Sequence, residues 1–340
     1  MREPPFWWRD AGIEAQLLAP AAAIYGALAT RRMAQKSRPA GVPVVCIGNP
    51  TVGGAGKTPT ALAVARMLTA AGERPVLLSR GYGGRSRGPV RVDPSVHCAV
   101  DVGDEPVLLA RVAPTIVARD RIAGAAAALA AGASVIVMDD GFQNPSLVKD
   151  LSLLIIDGRR GVGNARVIPA GPLRAPLAAQ LARADAIVVV GPVGAAAPVA
   201  AAARTRQLPV FSARLAPDTA FIGALGRARV LAFAGIGDPQ KVFATLMESG
   251  VTVAATRSFP DHHRYTPADV RSLSAQAEVE GLALATTEKD LARLAGDPAM
   301  AEFAARVRAL PVALLFDDDA GFKQLLRERV AAACRRAATA

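Results

Sequence analysis

The run Gly48-Asn49-Pro50-Thr51-Val52-Gly53-Gly54-Ala55-Gly56-Lys57-Thr58 gathers the residue types that phosphate chemistry needs. Glycines at 53, 54 and 56 let successive backbone N–H groups curl around phosphate oxygens. Lys57 can reach the β- and γ-phosphates, and the Thr58 hydroxyl can ligate Mg²⁺. Thr51 stands where the strict pattern has Gly, but the remaining glycines keep the loop pliable. A β-branched run precedes it and a helical pattern follows, which is the setting of a phosphate loop. Thr51, Val52, Gly53, Gly54, Ala55, Gly56, Lys57 and Thr58 are therefore the expected nucleotide contacts. The plainer reading, a Gly-rich turn with an incidental lysine, leaves the acidic pair downstream without a purpose.

That pair, Asp139-Asp140, ends the apolar run Val135-Ile136-Val137-Met138 and is followed by Gly141-Phe142-Gln143. Two carboxylates at the carboxyl end of a strand lie where open α/β sheets bind ligands, and at least one is expected to hold Mg²⁺ beside Thr58. Taken alone, a strand ending in two aspartates is more often a turn. Ser79-Arg80-Gly81-Tyr82-Gly83-Gly84 follows another strand pattern, and Gly103-Asp104-Glu105-Pro106 precedes a helix, so both are loops that could face the nucleotide, with Glu105 a further candidate metal ligand. Asp261-His262-His263-Arg264-Tyr265 holds two of the three histidines. Lone histidines are more often hydrogen-bonded structural residues than catalysts, but two beside an aspartate in a loop could move a proton.

These residues must be carried by elements. Val42 to Ile47, Pro75 to Ser79, Ser134 to Met138, Leu151 to Ile156 and Ala186 to Val190 read as buried strands, with helices at Pro59 to Ala71 and Arg121 to Ala131 between them. This alternation predicts a parallel sheet covered by helices on both faces, a phosphate-loop NTPase-like three-layer α/β/α domain. An Ala-, Pro- and Gly-rich stretch at 192–206 shifts the composition. Beyond Arg227 the pattern restarts, with strands at Val230 to Phe233, Val251 to Ala255, Leu284 to Thr286 and Val312 to Leu315, helices through Val242 to Glu248 and from Pro267, and a closing helix after Phe322. The expected division is a leading segment over 1–38, a phosphate-loop domain over 39–215 and a second, smaller α/β domain over 216–340.

The 340 residues are 51% hydrophobic and 20% charged, which excludes disorder as the main state. A formal charge of +11 favours anionic partners. Three scattered cysteines and three histidines make neither a disulfide framework nor a zinc spacing. From Leu17 to Thr30 runs an uncharged stretch of 14 residues, too short for the ~30 Å hydrocarbon core. Ile13, Leu17, Ile24 and Leu28 share one helical face, with Trp7 and Trp8 before them and Arg31, Arg32, Lys36 and Arg38 after. That pattern predicts an amphipathic helix lying on a membrane, with both indoles in the headgroup region; a helix packed on the protein's own core fits the periodicity equally. Glu3, Asp10 and Glu14 argue against a secretory signal.

The ordered set GNPTVGGAGKTP (48–59), SRGYGG (79–84), VGDEP (102–106), DDGFQ (139–143), GNARVIPAGPLR (163–174), FAGIGDP (233–239), FPDHHRY (259–265) and TTEKD (286–290) resembles one family, the tetraacyldisaccharide 4'-kinases, the lipid A 4'-kinases of Gram-negative bacteria. The resemblance covers about Gly41 to Asp290. It implies transfer of the ATP γ-phosphate, with Mg²⁺, to the 4'-hydroxyl of a tetraacylated glucosamine disaccharide 1-phosphate. The product is lipid IVA, made by a peripheral enzyme at the cytoplasmic face of the bacterial inner membrane. It also implies Asp104 as the base that deprotonates the acceptor, helped by His262, with the acceptor between two α/β/α units. Arg80, Tyr82, Gln143, Asn144 and Arg174 are the expected substrate contacts. Asn144 stands where the family commonly has His, and Ala175 where it commonly has Glu.

Other readings fare worse. A guanine-specific GTPase shows Asn or Thr, then Lys, any residue, Asp, whereas Glu288-Lys289-Asp290 lacks the intervening residue, and Cys and His are too few for a metallochaperone. A nucleic-acid binder would interleave basic residues with aromatics, which are only 4% of the chain. The expected partners are thus a lipid disaccharide and the inner-membrane surface, with no nucleic acid and no protein partner indicated.

Overall fold

Runs of β-branched residues bounded by Gly, Pro and Asp fold as central strands because both of their faces can be buried. In the computed structural model, which describes residues 3–339, Val44–Gly48, Pro75–Ser79, Val135–Asp139, Leu151–Asp157 and Ala186–Val190 are buried along their whole lengths. They form the middle of a nine-stranded sheet. Its order is Val312–Phe316, Val210–Pro217, Ala186–Val190, Leu151–Asp157, Val44–Gly48, Val135–Asp139, Pro75–Ser79, Thr115–Val117, Val90–Arg91. All pairings are parallel except the outermost one at each edge. The strand carrying the phosphate loop lies between those ending at Asp139 and Asp157, so connections leave it in opposite directions and a crevice opens at its carboxyl end.

A second sheet, ordered Thr252–Ser258, Arg229–Ala234, Ala283–Thr287, Arg308–Leu310, is wholly parallel and has its own core around Leu231, Phe233, Leu273 and Phe303. The unit expected over 216–340 ends sooner than that. Val312–Phe316 pairs antiparallel with Val210–Pro217 of the large sheet, and Phe322, Leu326 and Val330 of the closing helix, Asp319–Thr339, join the core of the first unit. An apolar strand followed by a helix has the same local pattern whichever sheet receives it, so the sequence does not mark this return.

The leading segment also departs from expectation. Pro20 sits in the first turn of a helix over Ala19–Met33, preceded by a short helix over Ile13–Leu17. Small residues face inward: Ala15 and Ala22 are buried, and Gly26 lies against Pro176 and Val167. Ile13, Leu17, Ile24 and Leu28 are instead 61–77% exposed, so this face is not covered by the protein's own core. Trp7 is not free for a headgroup region, and Trp8 is half-buried. Trp7 is buried, donating its indole N–H to the Pro169 carbonyl at 3.0 Å, and the Trp8 indole N–H goes to Glu3 under the Arg160 guanidinium, 3.8 Å from the ring. The apolar Trp7 indole is buried and its single donor is satisfied by the 163–174 loop.

Trp7→Ala is expected to cost about 3–5 kcal/mol through the cavity and the lost packing, while Trp7→Phe costs about 1–2 kcal/mol, in the range of one hydrogen bond and a smaller ring. Urea unfolding of the two variants checks this; equal stabilities would mean that the indole is not the anchor.

Candidate active site

The phosphate loop leaves the sheet at Gly48 and enters a helix at Lys57, two residues earlier than the sequence pattern suggested. Gly48 is required by close approach, since a Cβ there would fall 2.5 Å from that of Phe142 in the Asp-Asp-Gly-Phe turn. The two motifs are thus pressed together. Lys57 is buried and its ammonium donates to Asn49 Oδ1 (3.1 Å) and to the Gly53 carbonyl (3.3 Å), with Asp140 at 3.9 Å. Burial lowers its pKa and the Asp140 carboxylate opposes that. Thr58 is buried beside it in the first helical turn. The free N–H groups of this helix start, with Lys57, form an anion cradle.

The two adjacent aspartates have different surroundings. Asp140, with a left-handed φ of 49°, accepts from Arg174 at 2.8 Å, and burial is outweighed by Lys57 and Arg174, which hold its carboxyl below the usual range. Asp139 is 1% exposed and neither of its oxygens has a hydrogen-bond partner among the described residues. Burial, with Glu105 and Asp140 nearby, pushes it up to about 7. A buried, unpartnered carboxylate is costly unless a cation joins it. Among the described residues no three acidic, His or Cys side chains converge as a metal cage. Mg²⁺ does not need one: it takes one or two carboxylates, with water and phosphate oxygens for the rest. Asp139 with Thr58 fits that demand.

Across the crevice, Asp104 and Glu105 open the helix Asp104–Ala110, and the second unit answers them. His262 Nδ1 lies 3.4 Å from Asp104 Oδ2, although 158 positions separate them in the chain. The His262 backbone has φ 55°, a strained conformation of the kind that collects at functional sites. His263, the adjacent residue, points elsewhere: it meets Asp269 at 3.0 Å, at the start of the helix Pro267–Glu280, and stacks on Phe259. The ambiguity between the two histidines is resolved by the turn, which leaves only His262 beside Asp104.

Two residues absent from the sequence reading of the site complete it. Arg293 donates Nε to Asp104 Oδ2 at 2.9 Å and makes a shorter ion pair to the same oxygen through Nη2. Lys289 meets Glu105 at 2.6 Å. Burial alone would raise the Asp104 pKa, but the His262 hydrogen bond and the charges of Arg293 and Lys289 hold it well below the usual carboxylate range. The hydrogen bond to Asp104 raises His262, against the opposing effect of burial. Lys289 lies within the Thr-Thr-Glu-Lys-Asp motif, so a signal existed; Arg293, one helical turn further on, had none.

The expected substrate contacts divide. Tyr82 is exposed, with its ring 5.3 Å from that of His262, and Arg80 is exposed on the same loop. Arg174 is tied to Asp140 and to the Thr51 carbonyl (2.8 Å), Gln143 donates to Asn49 O (2.8 Å) and Gln180 (2.9 Å), and Asn144 Oδ1 accepts the Ser146 N–H. Arg174 and Gln143 thus brace the phosphate loop, and Asn144 closes its own turn after the acidic pair.

The chain as a whole is similar to known proteins. The family model described as tetraacyldisaccharide-1-P 4'-kinase matches residues 14–331. A tetraacyldisaccharide 4'-kinase from Nitrobacter winogradskyi is 56% identical over 97% of this chain and 98% of its own, and one from Rhodopseudomonas palustris strain BisB18 is 57% identical over 97% and 96%. The crystal structure of LpxK from Aquifex aeolicus in complex with ATP superposes with a TM-score of 0.70 at 27% identity, covering 93% of this chain and 99% of that one. With a phosphate loop, an acidic turn and nearly full-length similarity in agreement, the chain belongs to the tetraacyldisaccharide-1-P 4'-kinase family of ATP-dependent kinases.

Proposed function

We propose that this 4'-kinase activates the acceptor hydroxyl with the Asp104–His262 pair, holds the ATP phosphates with Lys57 and the loop from Thr51 to Thr58, and holds Mg²⁺ with Asp139 and Thr58. The observation that carries this reading is the meeting of Asp104 and His262, 3.4 Å apart and contributed by different units, at the crevice that also holds Lys57 and the unpartnered Asp139. The 4'-oxygen of the lipid disaccharide forms a bond to the γ-phosphorus as the bond from that phosphorus to the β–γ bridging oxygen breaks, releasing ADP. The hydroxyl proton passes to the pair, whose two groups titrate together. Asp104 by itself is too acidic to hold a proton near neutrality, so the raised His262 is where the proton comes to rest.

Lys57 neutralises charge on the transferring group, and the backbone N–H groups fix it in place. Mg²⁺, when bound, offsets the charge of the β- and γ-phosphates. Asp140 keeps its bonds to Arg174 and Lys57, and Glu105 keeps Lys289, so Asp139 is the direct carboxylate ligand in this reading. Gly237 of the second unit comes close to the phosphate loop, where a Cβ would lie 3.8 Å from the Gly54 nitrogen, which supports exclusion of water from the γ-phosphate. Tyr82 and Arg80, both exposed, are the members of the expected set that this reading assigns first to the acceptor.

The exposed face of Ile13, Leu17, Ile24 and Leu28, next to Arg31 and Arg32, supports docking on an anionic membrane surface, where the acylated substrate resides. Among the described residues no helix is long and apolar enough to cross a membrane. The triple variant Leu17→Ser, Ile24→Ser, Leu28→Ser removes about 1.5 kcal/mol or more of burial per side chain, so binding to vesicles containing anionic lipid is expected to fall by at least ~10²-fold. Activity on detergent-dispersed substrate is expected to stay near that of the unaltered chain. Co-sedimentation at unchanged strength would reject the docking face. The function itself is tested with ATP and tetraacyldisaccharide 1-phosphate in mixed micelles. Lipid phosphorylated at the 4'-position, one per ADP formed, is the expected product; ADP formation independent of the lipid counts against it.

A further inference from the structure

The helix Glu288–Ala295 of the second unit packs on the first turn of Asp104–Ala110, and it brings two cations with it. Lys289 and Arg293 are four residues apart, hence on one face, and they meet the adjacent carboxylates Glu105 and Asp104. The Arg293 contact is the more constrained of the two. Its Nε and Nη2 converge on a single oxygen, Asp104 Oδ2, while Nη1 donates to Asp290 (2.8 Å) and to the Gly235 carbonyl (2.7 Å). Asp290 is fully buried and is itself fixed by the Gly235 N–H at 3.1 Å and the Thr287 hydroxyl at 2.7 Å. Gly235 is closely packed, since a Cβ would lie 3.1 Å from Asp290 and 3.2 Å from the Pro260 carbonyl. The guanidinium is therefore held on both edges and cannot turn without breaking buried bonds.

Asp104 Oδ2 is also the oxygen that faces His262 Nδ1, so guanidinium and imidazole share it. An ion pair serving only to join two helices could use any carboxylate oxygen in any orientation. Here both Arg293 donors hold Oδ2 while the Glu105 N–H, 3.0 Å away, holds Oδ1, so the carboxylate keeps one orientation toward the imidazole. We propose that Arg293 is the positioning residue of the acceptor-activating pair: anchored by Asp290 and Gly235, it sets the orientation of Asp104 against His262. Because Arg293 and His262 both come from the second unit, the pair is assembled only where the two units meet. The inference rests on the reading of Asp104 given above.

The test is steady-state kinetics of the full chain with ATP and tetraacyldisaccharide 1-phosphate in micelles. Arg293→Ala is expected to lower kcat by about 10²-fold while the KM for ATP stays within about twofold, and millimolar guanidinium ion is expected to recover about tenfold of the loss. Recovery by the free ion separates positioning from a folding defect, which no small cation repairs selectively. Arg293→Lys supplies one compact donor in place of a fork and is expected to keep the same split with a kcat loss of about tenfold; it carries the test if the alanine variant does not fold. A kcat within about threefold of the unaltered chain in either folded variant, or a loss that guanidinium leaves untouched in the alanine variant, overturns the proposal. Asp104→Asn is measured alongside. If that variant is also unimpaired, the reading of Asp104 fails; if it is slow while Arg293→Ala is fast, only the role of Arg293 fails.

Discussion

Asp139→Asn should lose about 10³-fold in kcat and yet be at least as stable as the unaltered chain when Mg²⁺ is absent. The two halves of this expectation come from the same observation. A buried carboxylate with no partner for either oxygen is a cost to the fold, raised further by Glu105 and Asp140. An amide of the same shape removes the charge and with it much of that cost. Catalysis loses in return a ligand whose metal contributes several kcal/mol of charge stabilisation, and each 1.36 kcal/mol is tenfold in rate. Asp140→Asn serves as the contrast, because its carboxylate is already paired with Arg174 and Lys57, so its loss should destabilise the phosphate loop. Thermal unfolding in EDTA, with kinetics across a range of Mg²⁺ concentrations, decides the matter. A less stable Asp139→Asn, or one that reaches normal kcat at ordinary Mg²⁺, would show that Asp139 is not the metal ligand.

Loss of either member of the acceptor-activating pair should be nearly as damaging as loss of both. Asp104→Asn and His262→Asn are each expected to lower kcat by about 10²–10⁴-fold, with the double variant close to the worse single one, since residues that act as a unit are not additive. The pH dependence adds a sign. His262 must be neutral to take the proton, so activity rises with pH as the imidazole deprotonates. Its pKa is raised chiefly by the hydrogen bond to Asp104, which places that rise above the ordinary value near 6.5. In Asp104→Asn the hydrogen bond to a charged acceptor is gone, and the acid limb of the residual rate should move to lower pH. A limb that stays in place would mean that another group is titrating.

How much of this was legible in the chain depends on how far apart the interacting residues lie. The phosphate loop and the acidic turn each announce themselves within about a dozen residues, because a strand, a run of glycines and a helix start are local patterns. The buried central strands are legible for a similar reason, being uniformly apolar between clear breakers. The strand Val210–Pro217, second from the edge of the large sheet, was not read because it is mostly half-buried and lacks that uniformity. Its partner Val312–Phe316 was read as a strand but assigned to the wrong sheet, since pairing partners as distant as Phe316 and Ala213 leave no mark on local sequence. Trp7 was read from its company in the chain, an apolar stretch and a basic cluster, and the loop that captures its indole comes 162 residues later.

The sequence by itself determined the residue types available to this protein, namely a Gly-rich loop with its lysine, paired carboxylates, and an imidazole and a carboxylate in separate motifs, and by resemblance the family. Tertiary structure alone decided which of two adjacent histidines meets Asp104, which of two adjacent aspartates is left without a partner, and that Arg293 stands behind the pair. Adjacent residues are equivalent to any argument from spacing. They become different only when one turn sends His262 toward the first unit and His263 toward Asp269, and when Arg174 pairs with Asp140 while Asp139 is buried without a partner.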